Sequence, residues 1–219
     1  MILNARRLTL SVNESGKDYV VGDIHGHVSQ LHEQLNALGF DKSQDRLICV
    51  GDLIDRGPES IEALALLEEP WFFSVLGNHE YLMVSGMKYQ NSKDRMIWLN
   101  HGGDWIMQTD SSQWQPWFEQ IEALPLSIEV TNSEGVKYGI VHADFPAKHW
   151  DDFAGFDQDQ LYRCIWSRSN FNSRAEHSIR GVDYLFHGHS ITDFELKLGN
   201  RFYIEPGVFL GNEFIIRQL

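Results

Sequence analysis

Four short segments of this sequence place metal-binding side chains directly after short apolar runs. The runs are residues 19–21, 47–50, 72–76 and 184–186, and each has the length and side-chain content of a β-strand. The segments that follow them are GDIHG (22–26), GDLIDRG (51–57), GNHE (77–80) and GH (188–189). Polar residues after the carboxyl ends of sheet strands meet at one edge of the sheet. The sequence therefore predicts that these side chains converge on one rim of the fold.

Hydrophobic periodicity indicates helices between these segments. Residues 28–38 carry apolar side chains at helical spacing, and Gly39 supplies a stop. A second helix is expected with Pro58 in its first turn, a position that proline suits. Its apolar face would consist of Ile61, Leu64, Ala65 and Leu67. Strands and helices thus alternate in the first part of the chain.

The pattern changes after the third segment. Segments 80–86 and 95–107 are expected to be helical, with Gly102 and Gly103 interrupting the latter. Paired strands are expected at 127–131 with 136–141 and at 196–198 with 202–204, followed by a last strand at 213–217. Alternation followed by hairpins predicts an α/β fold, a β-sandwich of mixed sheets flanked by helices.

Length and cysteine content limit the class of protein. At 219 residues and 42% hydrophobic content, the chain suits a single domain spanning 1–219 with a substantial core. Its two cysteines, Cys49 in a strand-like run and Cys164 in an expected helix, allow neither a disulfide framework nor a cysteine zinc site. No stretch has the length of a signal peptide or a membrane span, so a cytoplasmic location is expected.

The net charge argues against one class of partner. With 18 basic and 31 acidic residues the formal charge is −13, and such a surface repels the phosphate backbone of long nucleic acids. A site that holds two divalent cations and two arginines is nevertheless locally positive. The net charge therefore does not exclude small or flexible phosphorylated substrates.

The first two segments and three later residues supply a set of candidate metal ligands. Asp23 and His25 lie two residues apart, so both side chains can face one ion from an extended segment, although this pentapeptide alone fits an ordinary turn equally well. The carboxylate of Asp52 can bridge two cations. An amide oxygen and two more imidazoles would complete both coordination sets. The candidate ligands are Asp23, His25, Asp52, Asn78, His142 and His189.

The chemistry of this donor set favours certain ions and one reaction. Three imidazoles, two carboxylates and one amide favour Mn²⁺, with Fe or Zn²⁺ as alternatives, over Mg²⁺ or Ca²⁺. Two such ions roughly 3.5–4 Å apart can share a water molecule, lower its pKa and clamp a phosphate for in-line attack. The sequence therefore predicts phosphate-ester hydrolysis at a dinuclear metal site.

Residues beside the candidate ligands complete this mechanism. Arg56 and Arg168 each offer a planar guanidinium to phosphate oxygens, although Arg168 taken alone is as easily a solvated surface residue. His79 follows Asn78 and can protonate the leaving alkoxide. Asp55 can orient the His79 imidazole and keep it protonated.

The order and spacing of these segments resemble the phosphoprotein phosphatase (PPP) family of metallophosphoesterases, whose motifs are GDxHG, GDxxDRG and GNHE. His142 within HAD and His189 within GHS fall where that family has its last two ligands. Chain length and the IWSR segment that ends at Arg168 look most like the small bacterial and phage serine/threonine protein phosphatases. The resemblance covers nearly the whole chain.

The resemblance implies both fold and function. It implies a calcineurin-like β-sandwich, two divalent ions held by the six candidate ligands, phosphate binding by Arg56 and Arg168, and acid catalysis by His79 with Asp55. The substrates implied are phosphoproteins or phosphopeptides carrying phosphoserine, phosphothreonine or phosphotyrosine, hydrolysed by water held between the ions. Two departures bear on substrate preference: Leu76 replaces an arginine common before GNHE, and Glu205-Pro206-Gly207 stands where relatives often have Asp-Thr-Gly.

Two other functions stay open. A symmetrical dinucleoside tetraphosphate (Ap4A) hydrolase is built on the same centre, but Asp55 argues mildly against it because Ala-Arg-Gly is expected there. The other alternative is a non-catalytic regulatory module that keeps the metal-binding fold. His187 lies two residues before His189 and is a less favoured candidate ligand. The tryptophans, including Trp98 and Trp105, are expected to pack in the core and at its rim.

Overall fold

Two mixed β-sheets form the centre of the structure, a computed structural model that describes all residues from 1 to 219. The strands are β1 (Arg7–Leu10), β2 (Asp18–Val21), β3 (Arg46–Cys49), β4 (Phe72–Ser74), β5 (Ser127–Thr131), β6 (Lys137–Ile140), β7 (Tyr184–Ile191), β8 (Leu196–Leu198), β9 (Arg201–Glu205) and β10 (Ile216–Gln218). One sheet has the strand order β10-β2-β3-β4, and the other has the order β1-β5-β6-β7-β9-β8. The mixed sheets confirm the predicted fold class.

Helices flank both sheets, as the sequence predicts. They are α1 (Val28–Leu38), α2 (Ser60–Ala65), α3 (Asn78–Met83), α4 (Ser92–Asn100), α5 (Trp114–Glu122), α6 (Gln158–Trp166) and α7 (Ser169–Asn172). Short 3-10 helices cover 66–68, 103–108, 111–113, 150–155 and 208–210, and a π-helix continues α3 over 84–88. Helix α1 ends at Gly39, whose φ of 72° lies in the left-handed region that glycine adopts easily. None of these helices is both long and apolar enough to span a membrane.

The strand directions place one set of loops together. β2 pairs with β3 and β3 pairs with β4, both in parallel, so their carboxyl ends leave the sheet at the same edge. In the other sheet, β6 and β7 are also parallel. The loops after these five strands therefore meet at one end of the sandwich, which is the end where the candidate ligands lie.

The space between the sheets is filled by alternate residues of their strands. Val20 and Ile48 from the four-stranded sheet pack with Ile140, Phe186 and Ile204 from the six-stranded sheet, and all are buried. Neighbouring residues on β2 and β3 point the other way and pack under α1 in a second cluster of 38 residues. Because both faces of these strands are buried, their residues 19–21 and 47–49 are apolar, which explains the continuous runs in the sequence.

The structure corrects the expected start of the second helix. Helix α2 begins at Ser60 rather than with Pro58, because the preceding residues form the tight loop that carries Asp55 and Arg56. The hydroxyl of Ser60 accepts a hydrogen bond from the Asp55 backbone N–H at 2.9 Å, which fixes the helix start to that loop. The predicted apolar face is confirmed at Leu64 but is wrong at Ile61, which is 44% exposed, and at Ala65, which is also exposed, because the short helix buries Ala63 beside Leu64.

Two strand boundaries also differ from expectation. β7 does not end at residue 186 but continues to Ile191, with an irregular register against β9 between His187 and Ile191. His189 therefore lies inside an irregular stretch of the strand and not after it. The last strand is Ile216–Gln218, shifted toward the end of the chain, because only these residues pair with β2.

Candidate metal centre and active site

Buried nitrogen and carboxylate atoms converge where the two sheets meet. His25, Asp52 and His79 form one group and Asp52, His142 and His189 form a second, and within each group the donor atoms lie within 4.8 Å of one another. Asp52 belongs to both groups and is 2% exposed. This central carboxylate can therefore face two cations at once, as the sequence suggested.

Backbone carbonyls set the orientation of the three imidazoles. A carbonyl oxygen can only accept, so Nδ1 of His25 donates to Ile54 O at 3.0 Å and Nδ1 of His142 donates to Val50 O at 2.8 Å. In the tautomer that donates through Nδ1, Nε2 of each ring carries a lone pair on the side of Asp52. In His189 the roles are reversed: Nε2 donates to Trp166 O at 3.1 Å, which leaves Nδ1 as the ligand atom. Such hydrogen bonds are the usual support for metal-ligating histidines.

Asp23 and Asn78 lie beside these groups. Asp23 Oδ2 is 3.9 Å from Nε2 of His25, and its carboxylate accepts hydrogen bonds from the backbone N–H of His189 at 3.0 and 3.2 Å. Asn78 opens helix α3, and its Oδ1 is 2.9 Å from Nε2 of His142. In the tautomer that donates through Nδ1, Nε2 of His142 is an acceptor like Oδ1 of Asn78, an arrangement that a cation shared between the two atoms would stabilise.

The electrostatics of the site also favour cations. Burial, together with the carboxylates of Glu205 and Asp52, raises the pKa of Asp23 well above its usual value. Burial likewise raises the pKa of Glu205 to about 8, and that of Glu80 to about 7. Several buried carboxylates within one small volume repel one another, and bound divalent ions would relieve that repulsion. The donor set, rich in imidazole and lacking thiolate, fits borderline divalent ions.

Glu80 organises the loop that carries Asp52. Its Oε1 accepts from the backbone N–H groups of Leu53 and Ile54 at 2.7 and 3.2 Å, and its Oε2 accepts from Asp52 and Gly77 at 3.0 Å each. The sequence contained Glu80 as the last residue of GNHE, but nothing in the motif indicated four backbone donors. Glu205 has a similar role, because it accepts from the backbone N–H of Asp23 at 3.0 Å and of Gly207 at 2.8 Å.

The backbone is strained at the centre. Non-glycine residues with positive φ are uncommon, yet the structure has seven, and five belong to the candidate site. These are His25, Asp52, Asp55, Arg56 and His189. Such conformations persist only where surrounding contacts hold them, and they concentrate at functional sites.

His79 and Asp55 form a buried pair. Nδ1 of His79 donates to Oδ2 of Asp55 at 2.6 Å. Asp55 also accepts from the indole N–H groups of Trp98 and Trp105, at 2.7 Å each. Burial alone would lower the pKa of His79, but the carboxylates of Asp52 and Asp55 outweigh it and raise that pKa. The sequence indicated only a packing role for both tryptophans, and their position around Gly102 and Gly103 gave no sign of this contact.

The two arginines differ in their surroundings. Arg56 donates to Nε2 of His25 at 2.9 Å and to Nε2 of His79 at 3.0 Å, and its guanidinium carbon lies 4.4 Å from the centre of the Phe209 ring. Arg168 is exposed and donates to the backbone oxygen of His189 at 2.9 Å. Both side chains therefore reach the rim of the candidate metal centre.

Two further residues complete the account of the site. Gly102 packs against Arg56 so closely that a Cβ atom at this position would lie 2.5 Å from the Arg56 backbone nitrogen. His187 lies outside both groups of candidate ligands, and its Nδ1 donates to Val141 O at 3.1 Å. Of the two histidines that the sequence left as competing candidates, only His189 lies in a group of candidate metal donors.

Comparison with known proteins agrees with this geometry. Residues 19–193 match the calcineurin-like phosphoesterase family. The chain belongs to that family. Among its relatives is serine/threonine-protein phosphatase 2 of Escherichia coli (strain K12), 37% identical over 86% of each chain. A symmetrical bis(5'-nucleosyl)-tetraphosphatase of Methylococcus capsulatus is 32% identical, but over only 58% of this chain and 43% of the relative.

Solved structures share the fold of this chain. A crystal structure described as a putative diadenosine tetraphosphatase superimposes with a TM-score of 0.68, covering 97% of each chain at 20% sequence identity. At this identity the likeness supports the fold alone. The PPP-type resemblance drawn from the motifs is confirmed by the family match and by the bacterial phosphatase relatives.

Proposed function

We propose that this protein is a divalent-metal-dependent phosphatase that hydrolyses phosphoserine and phosphothreonine monoesters in proteins. One observation carries the proposal: similarity to a serine/threonine-protein phosphatase extends over 86% of both chains, whereas similarity to a tetraphosphatase extends over less than half of the relative. Asp55 in the second motif also favours the phosphatase over the hydrolase of dinucleoside tetraphosphates.

The proposed ligands are the six named from the sequence, with Mn²⁺ as the first choice of metal. The orientation of the His25, His142 and His189 rings and the crowding of buried carboxylates support this assignment. When bound, two such ions would activate a water molecule and neutralise charge on the phosphate. Asp52 is the proposed bridging ligand because it alone belongs to both groups of donors.

Arg56 and Arg168 are proposed to bind the phosphate oxygens of the substrate. A guanidinium can donate two parallel hydrogen bonds to a phosphate, and its charge matches the charge that accumulates on the oxygens during transfer. The Phe209 ring under Arg56 and the His189 carbonyl that accepts from Arg168 hold the two side chains in this direction.

His79 is proposed to protonate the leaving oxygen, with Asp55 as its positioning partner. In this structure Arg56 donates a hydrogen bond to the lone pair on Nε2 of His79. An arginine that turns to a bound phosphate frees that nitrogen to carry a proton, which the Asp52 and Asp55 carboxylates favour. The resulting imidazolium would deliver its proton to a serine or threonine alkoxide.

The test begins with protein stripped of metal and then reloaded with Mn²⁺, Zn²⁺ or Mg²⁺. Phosphate release is measured from phosphoserine, phosphothreonine and phosphotyrosine peptides and from diadenosine tetraphosphate in one buffer. We expect Mn²⁺-dependent turnover of the peptides with the dinucleotide left intact. Cleavage of the dinucleotide alone would assign the protein to nucleotide metabolism.

A single substitution separates an enzyme from a non-catalytic module. His79→Asn should lower kcat by about 10²–10⁴-fold, because the proposed proton donor is removed. The matched control is His101→Asn, because His101 is exposed at the end of α4 and its ring hydrogen-bonds to the Ile97 carbonyl of that helix. If wild-type protein binds metal but turns over no phosphate ester, the regulatory module becomes the better assignment.

A further inference from the structure

The segment that carries Arg168 has little structure of its own. Residues 167–175, here called the Arg168 segment, contain only the four-residue helix α7. A helix this short is not stable by itself, because one turn does not compensate the cost of nucleation. Arg168 itself is exposed and makes one hydrogen bond through its side chain. The backbone that carries Arg168 must therefore be held by contacts beneath the segment.

The start of the Arg168 segment is held by Asp144. This carboxylate is 1% exposed, and its Oδ2 accepts hydrogen bonds from the Ser167 hydroxyl at 2.6 Å and from the Asn170 backbone N–H at 3.1 Å. The two donors lie on either side of Arg168. Asp144 also follows the candidate ligand His142 by two residues, so one loop carries both a metal-ligand candidate and this contact.

The rest of the Arg168 segment rests on strand β9. Arg201 is fully buried and donates from Nη2 to the backbone oxygen of Ala175. Tyr203, two residues further along the same face, packs its ring against Phe171 with the ring centres 5.2 Å apart. Contacts from three buried side chains are thus spread over the start, middle and end of the segment.

These groups are unusual in a protein interior. The remaining oxygen of Asp144, two nitrogens of Arg201 and the hydroxyl of Tyr203 are buried without a hydrogen-bond partner in the protein. Burying charged and polar groups that are incompletely paired costs free energy, and apolar side chains of similar volume often give equal or greater stability. Stability alone therefore does not account for this arrangement.

We propose that Asp144, Arg201 and Tyr203 form a buried clamp that positions Arg168 for the phosphate group of the substrate. The inference rests on the proposed phosphatase function and adds positioning residues to it. None of the three is a proposed metal ligand or a group that touches phosphate. The clamp sets the distance between the metal centre and the second arginine, because its Asp144 arm belongs to the loop that supplies His142.

The kinetic test is a double-mutant cycle in the full-length, Mn²⁺-loaded protein with p-nitrophenyl phosphate as substrate. Asp144→Ala should lower kcat/KM about 10-fold, since displacing a positioning group by about 1 Å can cost up to 10²-fold. In the Arg168→Ala background the same change should lower kcat/KM less than about twofold, because the displaced side chain is already gone. Equal losses in both backgrounds would overturn the clamp.

Two further variants separate positioning from general destabilisation. Asp144→Asn keeps an oxygen acceptor for Ser167 and Asn170 and should recover most of the activity that Asp144→Ala loses. Asp45→Ala is the matched control, because Asp45 is a buried aspartate that accepts from the backbone N–H groups of Lys17 and Asp41 away from the site. It should lower the melting temperature without changing kcat/KM. If Asp144→Ala does not fold, Ser167→Ala enters the same cycle, with a smaller loss of about threefold expected for one bond.

A readout independent of catalysis distinguishes failure of the clamp from failure of the proposed function. Amide hydrogen exchange at Asn170 and its neighbours should be about 10-fold faster in Asp144→Ala than in wild type, with strands β2 and β3 unchanged. Unchanged protection of the Arg168 segment would refute the clamp even if the wild type is a phosphatase. Faster exchange in a protein without phosphatase activity would support the contact and reject the proposed function.

Discussion

The indole hydrogen bonds to Asp55 give a prediction whose size follows from burial. Trp98 is fully buried, so in Trp98→Phe no solvent can replace the lost N–H donor. A hydrogen bond to a charged group contributes about 1.5–3 kcal/mol, and the smaller ring adds a packing loss of about 1 kcal/mol. We therefore expect Trp98→Phe to lower the free energy of unfolding by about 2.5–4 kcal/mol.

Trp105 makes an equally short bond to the other oxygen of Asp55 but is only partly buried. Water can take the place of its N–H in Trp105→Phe, so the loss should be smaller, about 0.5–1.5 kcal/mol. The control is Trp114→Phe, because the Trp114 N–H donates at 2.8 Å to the neutral hydroxyl of Thr109. Its loss should be no more than about 1 kcal/mol.

Urea unfolding of the three variants under one set of metal conditions measures these differences. In kinetic assays, only the two variants around Asp55 should show a lower kcat, because that carboxylate holds the His79 ring. Equal destabilisation by Trp98→Phe and Trp105→Phe would refute the reasoning from burial. An unchanged kcat in Trp98→Phe would show that the orientation of Asp55 does not matter for turnover.

Three further predictions concern the site and the core. Gly102→Ala should lower kcat/KM about 10-fold or more, measured by steady-state kinetics, because its Cβ would displace the Arg56 backbone and its φ of 103° disfavours side chains. Removing metal with a chelator should lower the melting temperature, and excess Mn²⁺ should restore it, with about 2.7 kcal/mol gained at 100 times the dissociation constant. Leu64→Ala should cost about 2–5 kcal/mol in urea unfolding, whereas Ile61→Gln should stay within about 0.5 kcal/mol, because Leu64 is buried and Ile61 is exposed.

Local sequence patterns predicted the parts of this fold that depend on local chemistry. The strands before Asp23 and Asp52 were visible because both faces of β2 and β3 are buried, so residues 19–21 and 47–49 are apolar. The hairpin 127–141 was visible through its turn residues. The start of α2 was not predicted correctly. The contact between Asp55 and Ser60, and not Pro58, fixes the first turn of this helix.

The candidate site could also be predicted only where the local sequence carries a motif. Residues named by the motifs lie together, but the groups that support them come from distant positions and have ordinary sequence surroundings. Trp98 and Trp105 contact Asp55 across 43 and 50 residues of chain, and Glu205 contacts Asp23 across 182. No periodicity or motif spacing reports such contacts, because they arise only when separate elements pack.

The candidate ligands belong to both sheets of the sandwich. Asp23, Asp52 and Asn78 follow strands of the four-stranded sheet, whereas His142 and His189 belong to the six-stranded sheet, and Asp23 contacts His189 across 166 residues. The complete donor set exists only once the two sheets have docked. On the proposed ligand assignment, a chain in which only one sheet has folded would lack part of the donor set, so the metal ions would bind at a late stage of folding.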